Sequence, residues 1–226
     1  MSTSPPRLLI ATTNAGKVRE IRHELETAGL ARQFAAIGLK ELANRPAECV
    51  EDRPTFVGNA TKKARHFAQA AGCLALADDS GLCVDALGGA PGVYSARYAG
   101  VDGPGADVAN NAKLLRALAD VPEDQRSGRF VCAMALAAPG MDIAVFVDQV
   151  EGRLLRQPRG ANGFGYDPLF YFPNFAKTTA ELDMITKSAI SHRGKALRRM
   201  IAFLREHHAR LGTPAGGSHA PHQASL

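Results

Sequence analysis

Residues 74–100 read LALADDSGLCVDALGGAPGVYSARYAG, and the interpretation of the chain turns on them. A short apolar run is broken by two adjacent carboxylates, Asp78 and Asp79, followed by Ser80 and Gly81. LALA reads as a buried strand that ends at the carboxylate pair. The C-terminal ends of strands are where open α/β sheets bind ligands. Two neighbouring carboxylates repel one another unless a cation or a proton intervenes. Mg²⁺ suits such a pair, because it is hard, takes oxygen ligands and keeps waters while bridging to phosphates. A carboxylate beside it can take a proton from water. Read alone, Asp-Ser-Gly is equally an ordinary Asx turn or helix cap.

Upstream of the pair, Thr55 caps a helix through FVGNATKKARHFAQAAG, with Phe56, Ala60, Ala64, Phe67 and Ala71 on its apolar face. Nearer the start, RLLIAT (7–12) reads as a buried strand and TTNAGK (12–17) as a loop. KVREIRHELETAG then reads as a helix with Val18, Ile21 and Leu25 at helical spacing and Gly29 as its C-cap. QFAAIGL is a second strand, and ANRPAECVEDRP a polar loop. Downstream, LGGAPG is a turn-rich loop and DVANNAKLLRALADV a helix with Leu114, Leu115 and Leu118 inward. GRFVCAMALAAPG and DIAVFVDQVEGRLL read as two antiparallel strands joined by a Pro-Gly turn. RQPRGANGFGYDPLFYFP is irregular. SAISHRGKALRRMIAFLREHHARL reads as one long helix with Leu197, Met200, Ile201 and Leu204 on one face. This alternation predicts a mixed α/β domain whose largely parallel sheet carries an antiparallel section.

The 226 residues suit one substantial domain or two lobes sharing a core. A 46% hydrophobic and 22% charged composition places the chain among globular proteins. No apolar run reaches the ~18 residues that cross a bilayer, and the N-terminus lacks a signal-peptide pattern. The expectation is a soluble cytoplasmic protein with no membrane contact. Cys49, Cys73, Cys83 and Cys132 form no C-x-x-C pair, which argues against zinc and for buried, reduced thiols. The net charge is +5, with basic residues crowding the C-terminal part from Lys187 to Arg210. That charge fits a phosphorylated ligand, a nucleic acid or a solvated helix face.

Three further stretches carry chemistry. TTNAGK joins a strand to a helix, where backbone N–H groups attract phosphate and Lys17 adds a point charge. It is not a Walker A motif, because Val18 follows the lysine and the upstream glycine is missing. In NGFGYDP (162–168), Gly163 and Gly165 flank Phe164, which is suited to stack on a base, with Asp167 close by. In KSAISHRGKAL (187–197), Ser191 caps the last helix and puts His192 and Arg193 in its first turn. Cations are disfavoured there by the helix dipole, so an anionic or carbonyl-rich partner is expected. Each stretch alone is also an ordinary cap or packed turn. His207, His208, His219 and His222 read as solvated.

Taken together and in order, TTNAGKVREI, TFVGNATKKARHFA, ADDSGLCVDALGGAPGVYSARYAG, GFGYDPLF and KSAISHRGKAL closely resemble the inosine triphosphate pyrophosphatase family. These are the XTP/dITP diphosphatases, which act on non-canonical purine nucleoside triphosphates. The resemblance runs from about Arg7 to about Arg205. It implies hydrolysis of ITP, dITP and XTP to the monophosphate and pyrophosphate, which keeps deaminated purines out of DNA and RNA. It also implies Mg²⁺, a homodimer and no stable nucleic-acid partner. The implied fold is an elongated mixed β-sheet with two α/β lobes and a cleft between them, over residues 1–211. At 212–226 the composition, GTPAGGSHAPHQASL, reads as a flexible tail.

Carried across by position, Thr12, Thr13, Asn14, Ala15, Gly16 and Lys17 would hold the triphosphate. Asp79 would be the proton acceptor and a Mg²⁺ ligand, with Asp78 beside it in the metal site. Ser80 would contact substrate, and Phe164, Gly165, Tyr166, Asp167, Lys187, His192 and Arg193 would form the nucleoside pocket. One departure stands out. Where this chain has Gly58, the family commonly has a glutamate that helps to bind metal. Glu48, Glu51 and Asp52 of the preceding loop are the candidates to replace it. The alternatives are a catalytically impaired, nucleotide-binding member of the family and a nucleic-acid-binding protein. A kinase is disfavoured by the missing Walker and protein-kinase signatures.

Overall fold

RLLI forms a strand with no polar face, and the structure explains why. In the computed structural model, which describes residues 5–211, β1 (Arg7–Ile10) lies between two parallel neighbours. These are β2 (Ala35–Gly38) and β3 (Leu74–Val84). Leu8, Leu9 and Ile10 are fully buried, as expected of a parallel strand covered on both faces. The remaining strands are β4 (Ser127–Ala138), β5 (Met141–Leu154), β6 (Phe170–Phe172) and β7 (Lys177–Thr178). The seven strands follow the order β2-β1-β3-β4-β5-β6-β7. The β5–β6 and β6–β7 pairs are antiparallel, so the predicted mixed sheet is observed.

The helices are α1 (Ala15–Thr27), α2 (Phe56–Ala71), α3 (Ala106–Ala117), α4 (Met184–Ile190) and α5 (His192–Leu211). Among the described residues no helix is long and apolar enough to cross a membrane. Backbone contacts divide the chain into two compact units. The first takes residues 5–79, 133–147 and 196–211, and the second takes 80–132 and 148–195. The first unit's core is rich in alanine. Ala60, Ala64 and Ala68 of α2 meet Ala75 and Ala77 of β3 and Ala133 and Ala135 of β4. Such small side chains let a helix approach a sheet closely. The second unit's core is larger-grained, with Phe130, Tyr166, Phe170 and Phe172 packed among Leu82, Leu114, Leu118 and Leu169.

Several expectations need correction. β3 does not end at the carboxylate pair but continues to Val84. Both carboxylates have lysine partners, so neither obliges the strand to stop. Beyond them Leu82 and Val84 are fully buried while Cys83 is half-buried, which restores the period-2 pattern of a strand. The long C-terminal helix is two helices, interrupted at Ser191, whose ψ of 157° is extended. Helix α1 is capped by Ala28, and Gly29 follows it in the left-handed region at φ +72°. The irregular stretch after β5 contains the short strand β6. All four cysteines are free as expected, but only Cys132 is fully buried. The tail assigned to 212–226 lies outside the described residues.

Candidate active site

In the first unit, β1 delivers the chain to the loop at Thr12, and α1 begins at Ala15. The Asn14 N–H donates to Thr12 Oγ1 at 3.2 Å, and Asn14 Oδ1 accepts from the Lys17 N–H at 3.1 Å. Asn14 is therefore the N-cap, a position that takes one of the orphan donors of the first turn. Thr13, Asn14 and Ala15 are exposed, and Gly16 and Lys17 half-buried. The Lys17 side chain turns to the sheet, where its Nζ lies 3.1 Å from Oδ1 of the fully buried Asp78.

Asp79 answers to a different helix. Lys63 of α2 places its Nζ 3.9 Å from Asp79 Oδ1 and hydrogen-bonds Glu51. Burial works against the Lys63 charge, yet Glu51, Asp78 and Asp79 outweigh it and hold the ammonium above its usual range. Burial also lifts the Asp79 carboxyl, to about 6, with Lys63 only partly offsetting it. Asp79 Oδ2 is buried, and so is Nδ2 of the neighbouring-helix residue Asn59. The Asn59 side chain acts on the Asp79 carboxyl as a hydrogen-bonding neighbour and draws it down, so the two groups lie together.

A hard cation fits this donor set, because the donors are the carboxylate oxygens of the buried Asp78 and Asp79. Among the described residues no three His, Cys, Asp or Glu side chains converge as a ready-made metal cage. Of the three loop carboxylates considered as replacements at this site, Glu51 is the one held by Lys63, whereas Asp52 pairs with Lys62 and Glu48 with Arg45. The structure also explains what position 58 does. It is the third residue of α2, and its N–H donates to the N-cap Thr55 Oγ1 at 3.0 Å. A glutamate there would complete a capping box with Thr55. A Cβ at Gly58 would lie 2.9 Å from Arg53 Cβ, so this chain's loop closes over the place a side chain would take.

In the second unit the turn Phe164–Asp167 is built on glycines. Gly163 and Gly165 have φ of +81° and +61°, and a Cβ on Gly163 would fall 2.0 Å from Asp167 Oδ2. Asp167 Oδ2 accepts from the Phe164 N–H and from Lys187 Nζ, each at 2.9 Å. The half-buried Phe164 ring has Lys187 Nζ 4.8 Å and the Arg193 guanidinium 5.5 Å from its centroid. Arg193 also donates to Ser80 Oγ at 2.8 Å. In the first turn of α5, where an anionic or carbonyl-rich group is expected, the Arg193 cation meets a ring face and a hydroxyl. Ser191 Oγ accepts from the Gly194 N–H at 3.1 Å, which confirms it as the cap. His192 stacks on Phe130, with centroids 4.9 Å apart and planes at 13°.

Two groups therefore emerge from the predicted residues. Lys17 and Asp78 join, with Asp79 next along β3. Ser80, Phe164, Asp167, Lys187 and Arg193 form a second connected set, and Tyr166 is buried beside it. Sequence reasoning left Lys63, Asn59 and Phe130 without roles. The first two carried a signal: they are i and i+4 on the helix face otherwise filled by alanines and Phe67, and a polar pair on an inward face needs a reason. Phe130 sits in an unbroken apolar strand and gave none.

Comparison with known proteins gives a consistent result. The model of the Ham1 family matches residues 8–203. A dITP/XTP pyrophosphatase of Desulforamulus reducens is 50% identical over 198 residues, covering 88% of this chain and 95% of that protein. One from Yersinia pseudotuberculosis is 48% identical over 202 residues, covering 88% and 98%. A solved HAM1 protein from Coxiella burnetii superposes with a TM-score of 0.77 at 40% identity, over 89% of this chain and 99% of that one. The Staphylococcus aureus Ham1 structure gives 0.76 at 38% identity, over 88% and 98%.

Proposed function

This chain belongs to the Ham1 family, and from that premise we infer that it is a nucleoside-triphosphate pyrophosphatase acting on non-canonical purine nucleotides. Its substrates are dITP and XTP, as in the names of its relatives, together with ITP. The products are the monophosphate and pyrophosphate.

The observation that carries the chemistry is the buried Asp79 carboxyl, lifted to about 6. A carboxylate poised near neutrality serves as a proton acceptor at physiological pH. Asp79 takes the proton of the attacking water. The loop Thr12–Gly16 offers N–H groups to the phosphates, and Lys17 and Lys63 supply positive charge. Asp79 and Asp78 would hold Mg²⁺, with Glu51 at hand through Lys63. When bound, the ion neutralises phosphate charge and orients water.

Selectivity follows from the base. Hypoxanthine and xanthine present a 6-oxo acceptor where adenine presents a 6-amino donor. Lys187, His192 and Arg193 are donors that suit the oxo group, and a 6-amino group offers them no acceptor in its place. Phe164 takes the ring face, and Ser80, Gly165, Tyr166 and Asp167 complete the nucleoside contacts. In keeping with the family resemblance, we place the enzyme in the cytoplasm as a homodimer.

The test is pyrophosphate release from ITP, XTP, ATP, GTP and dTTP, with Mg²⁺ and with chelator. Mg²⁺-dependent cleavage of ITP and XTP in preference to the others is expected. Folded protein that cleaves none of them would overturn the reading.

A further inference from the structure

The turn that presents Phe164 is gripped by a helix that none of the assigned substrate contacts includes. The Gly165 N–H donates to Asp107 Oδ2 at 2.7 Å, and the Gly165 carbonyl accepts from Asn111 Nδ2 at 2.8 Å. Asp107 and Asn111 are i and i+4 on α3, so they share a face. Asn111 Nδ2 also donates to the Asp107 carbonyl at 2.9 Å, which keeps its donor end toward the turn. Both backbone polar groups of one glycine are thus held by one helix face. The turn is fixed at its other points as well. Asp167 takes the Phe164 N–H, and the Tyr166 hydroxyl donates to the Ser95 carbonyl at 2.9 Å.

The consequence falls on the ring. A turn with glycines on both sides of Phe164 is intrinsically loose, because glycine samples both halves of φ space. Left loose, the ring would be ordered only when a base arrives, and binding would bear that cost. With both groups of the Gly165 peptide held, the direction in which the chain leaves Phe164 is set in advance.

We infer that Asp107 and Asn111 are positioning residues for base recognition, fixing the Gly165 peptide and through it the plane in which Phe164 meets the purine. This rests on the assignment of Phe164 to the base. Neither residue touches the groups that hold phosphate or move a proton. Their loss should therefore appear in KM for the preferred base and spare kcat.

The experiment uses the full chain with Mg²⁺ and compares ITP with ATP for wild type, Asp107→Ala, Asn111→Ala and Asp107→Asn. Each alanine variant should raise KM for ITP about tenfold with kcat within about twofold, and lower the ITP-to-ATP ratio of kcat/KM in step. Asp107→Asn keeps an acceptor oxygen and should restore KM. Asn111→Ala tests the inference independently should Asp107→Ala fail to fold. If wild type does not cleave ITP, the assignment of the base site falls and this inference with it. If wild type cleaves ITP while the folded variants keep KM and the ratio within about twofold, the inference is overturned and the enzymatic reading stands. A parallel loss for ITP and ATP, carried by kcat, would mean general loosening and would also overturn it.

Discussion

Lys63 holds its ammonium 3.9 Å from Asp79 Oδ1 while hydrogen-bonding Glu51, so one buried cation serves two carboxylates. Replacing it with methionine takes that cation from both. Without it the Asp79 carboxyl is harder still to ionise in the fold, so Lys63→Met should lower the midpoint of urea unfolding at neutral pH. Lys63 is also a group that pulls the Asp79 carboxyl down. Its removal should carry the acid limb of the kcat/KM profile for ITP upward from about 6. An unmoved limb would remove Lys63 from the electrostatics of catalysis.

Asp79→Asn separates function from stability, because the signs oppose. The folded carboxyl titrates near 6, above its ordinary value of 3.8, so its ionisation is disfavoured in the folded state. The stability tied to this proton is present below the ordinary value and lost as pH rises through about 6. Asparagine does not titrate. The variant should therefore match wild type at about pH 4 and exceed it by up to about 3 kcal/mol at about pH 7.5. Its kcat for ITP should fall at least about a hundredfold. Urea unfolding at both pH values and steady-state kinetics check the two halves. A variant less stable than wild type at neutral pH would contradict the burial argument.

Mg²⁺ should relieve the same penalty. An ion that binds the folded site stabilises the fold by mass action. Thermal melts of wild type at neutral pH should rise with added Mg²⁺ and return with chelator. Asp79→Asn should respond weakly or not at all. Equal shifts in both proteins would place the ion elsewhere.

What was legible in the sequence, and what was not, divides along physical lines. Helices α1 and α2 could be read because Asn14 and Thr55 cap them and their apolar residues recur at helical spacing. The parallel start of the sheet could be read from unbroken apolar runs such as Leu8–Ile10. The continuation of β3 past Asp79 could not. It depends on Lys17 and Lys63, which reach the pair from two helices elsewhere in the chain. Periodicity reports local structure and is silent about partners at that separation. Strands of three and two residues, β6 and β7, are too short to show a period at all. Residue types marked out Phe164, Lys187 and Arg193, but not that both cations would lie against the Phe164 ring.

Arg193→Ala tests the discrimination between bases. The side chain is buried, bonds Ser80 Oγ and lies against Phe164, so its loss removes a donor and unseats the ring. The ITP-to-ATP ratio of kcat/KM should fall by about ten- to a hundredfold. Arg193→Lys keeps the charge without the fork and should recover only part of the ratio. Selectivity unchanged in Arg193→Ala would assign the 6-oxo donor to another residue.

Gly58→Ala sets two effects against each other. Alanine in place of a helical glycine ordinarily gains about 1 kcal/mol. Here the added Cβ would sit 2.9 Å from Arg53 Cβ and 3.1 Å from Thr55 Oγ1. Arg53 cannot step aside freely, because its N–H donates to Asn59 Oδ1 at 2.9 Å and so ties the loop to α2. Overpacking of this kind costs about 1–3 kcal/mol, which exceeds the helical gain. The variant should therefore be less stable by about 1 kcal/mol, read as a lower urea midpoint at unchanged slope. Asn59 lies beside Asp79 in the same buried region, so any shift of the loop should also raise KM for Mg²⁺. A variant more stable than wild type would mean that the loop at Arg53 yields readily, and a glutamate at this position would then be tolerated as a capping partner for Thr55.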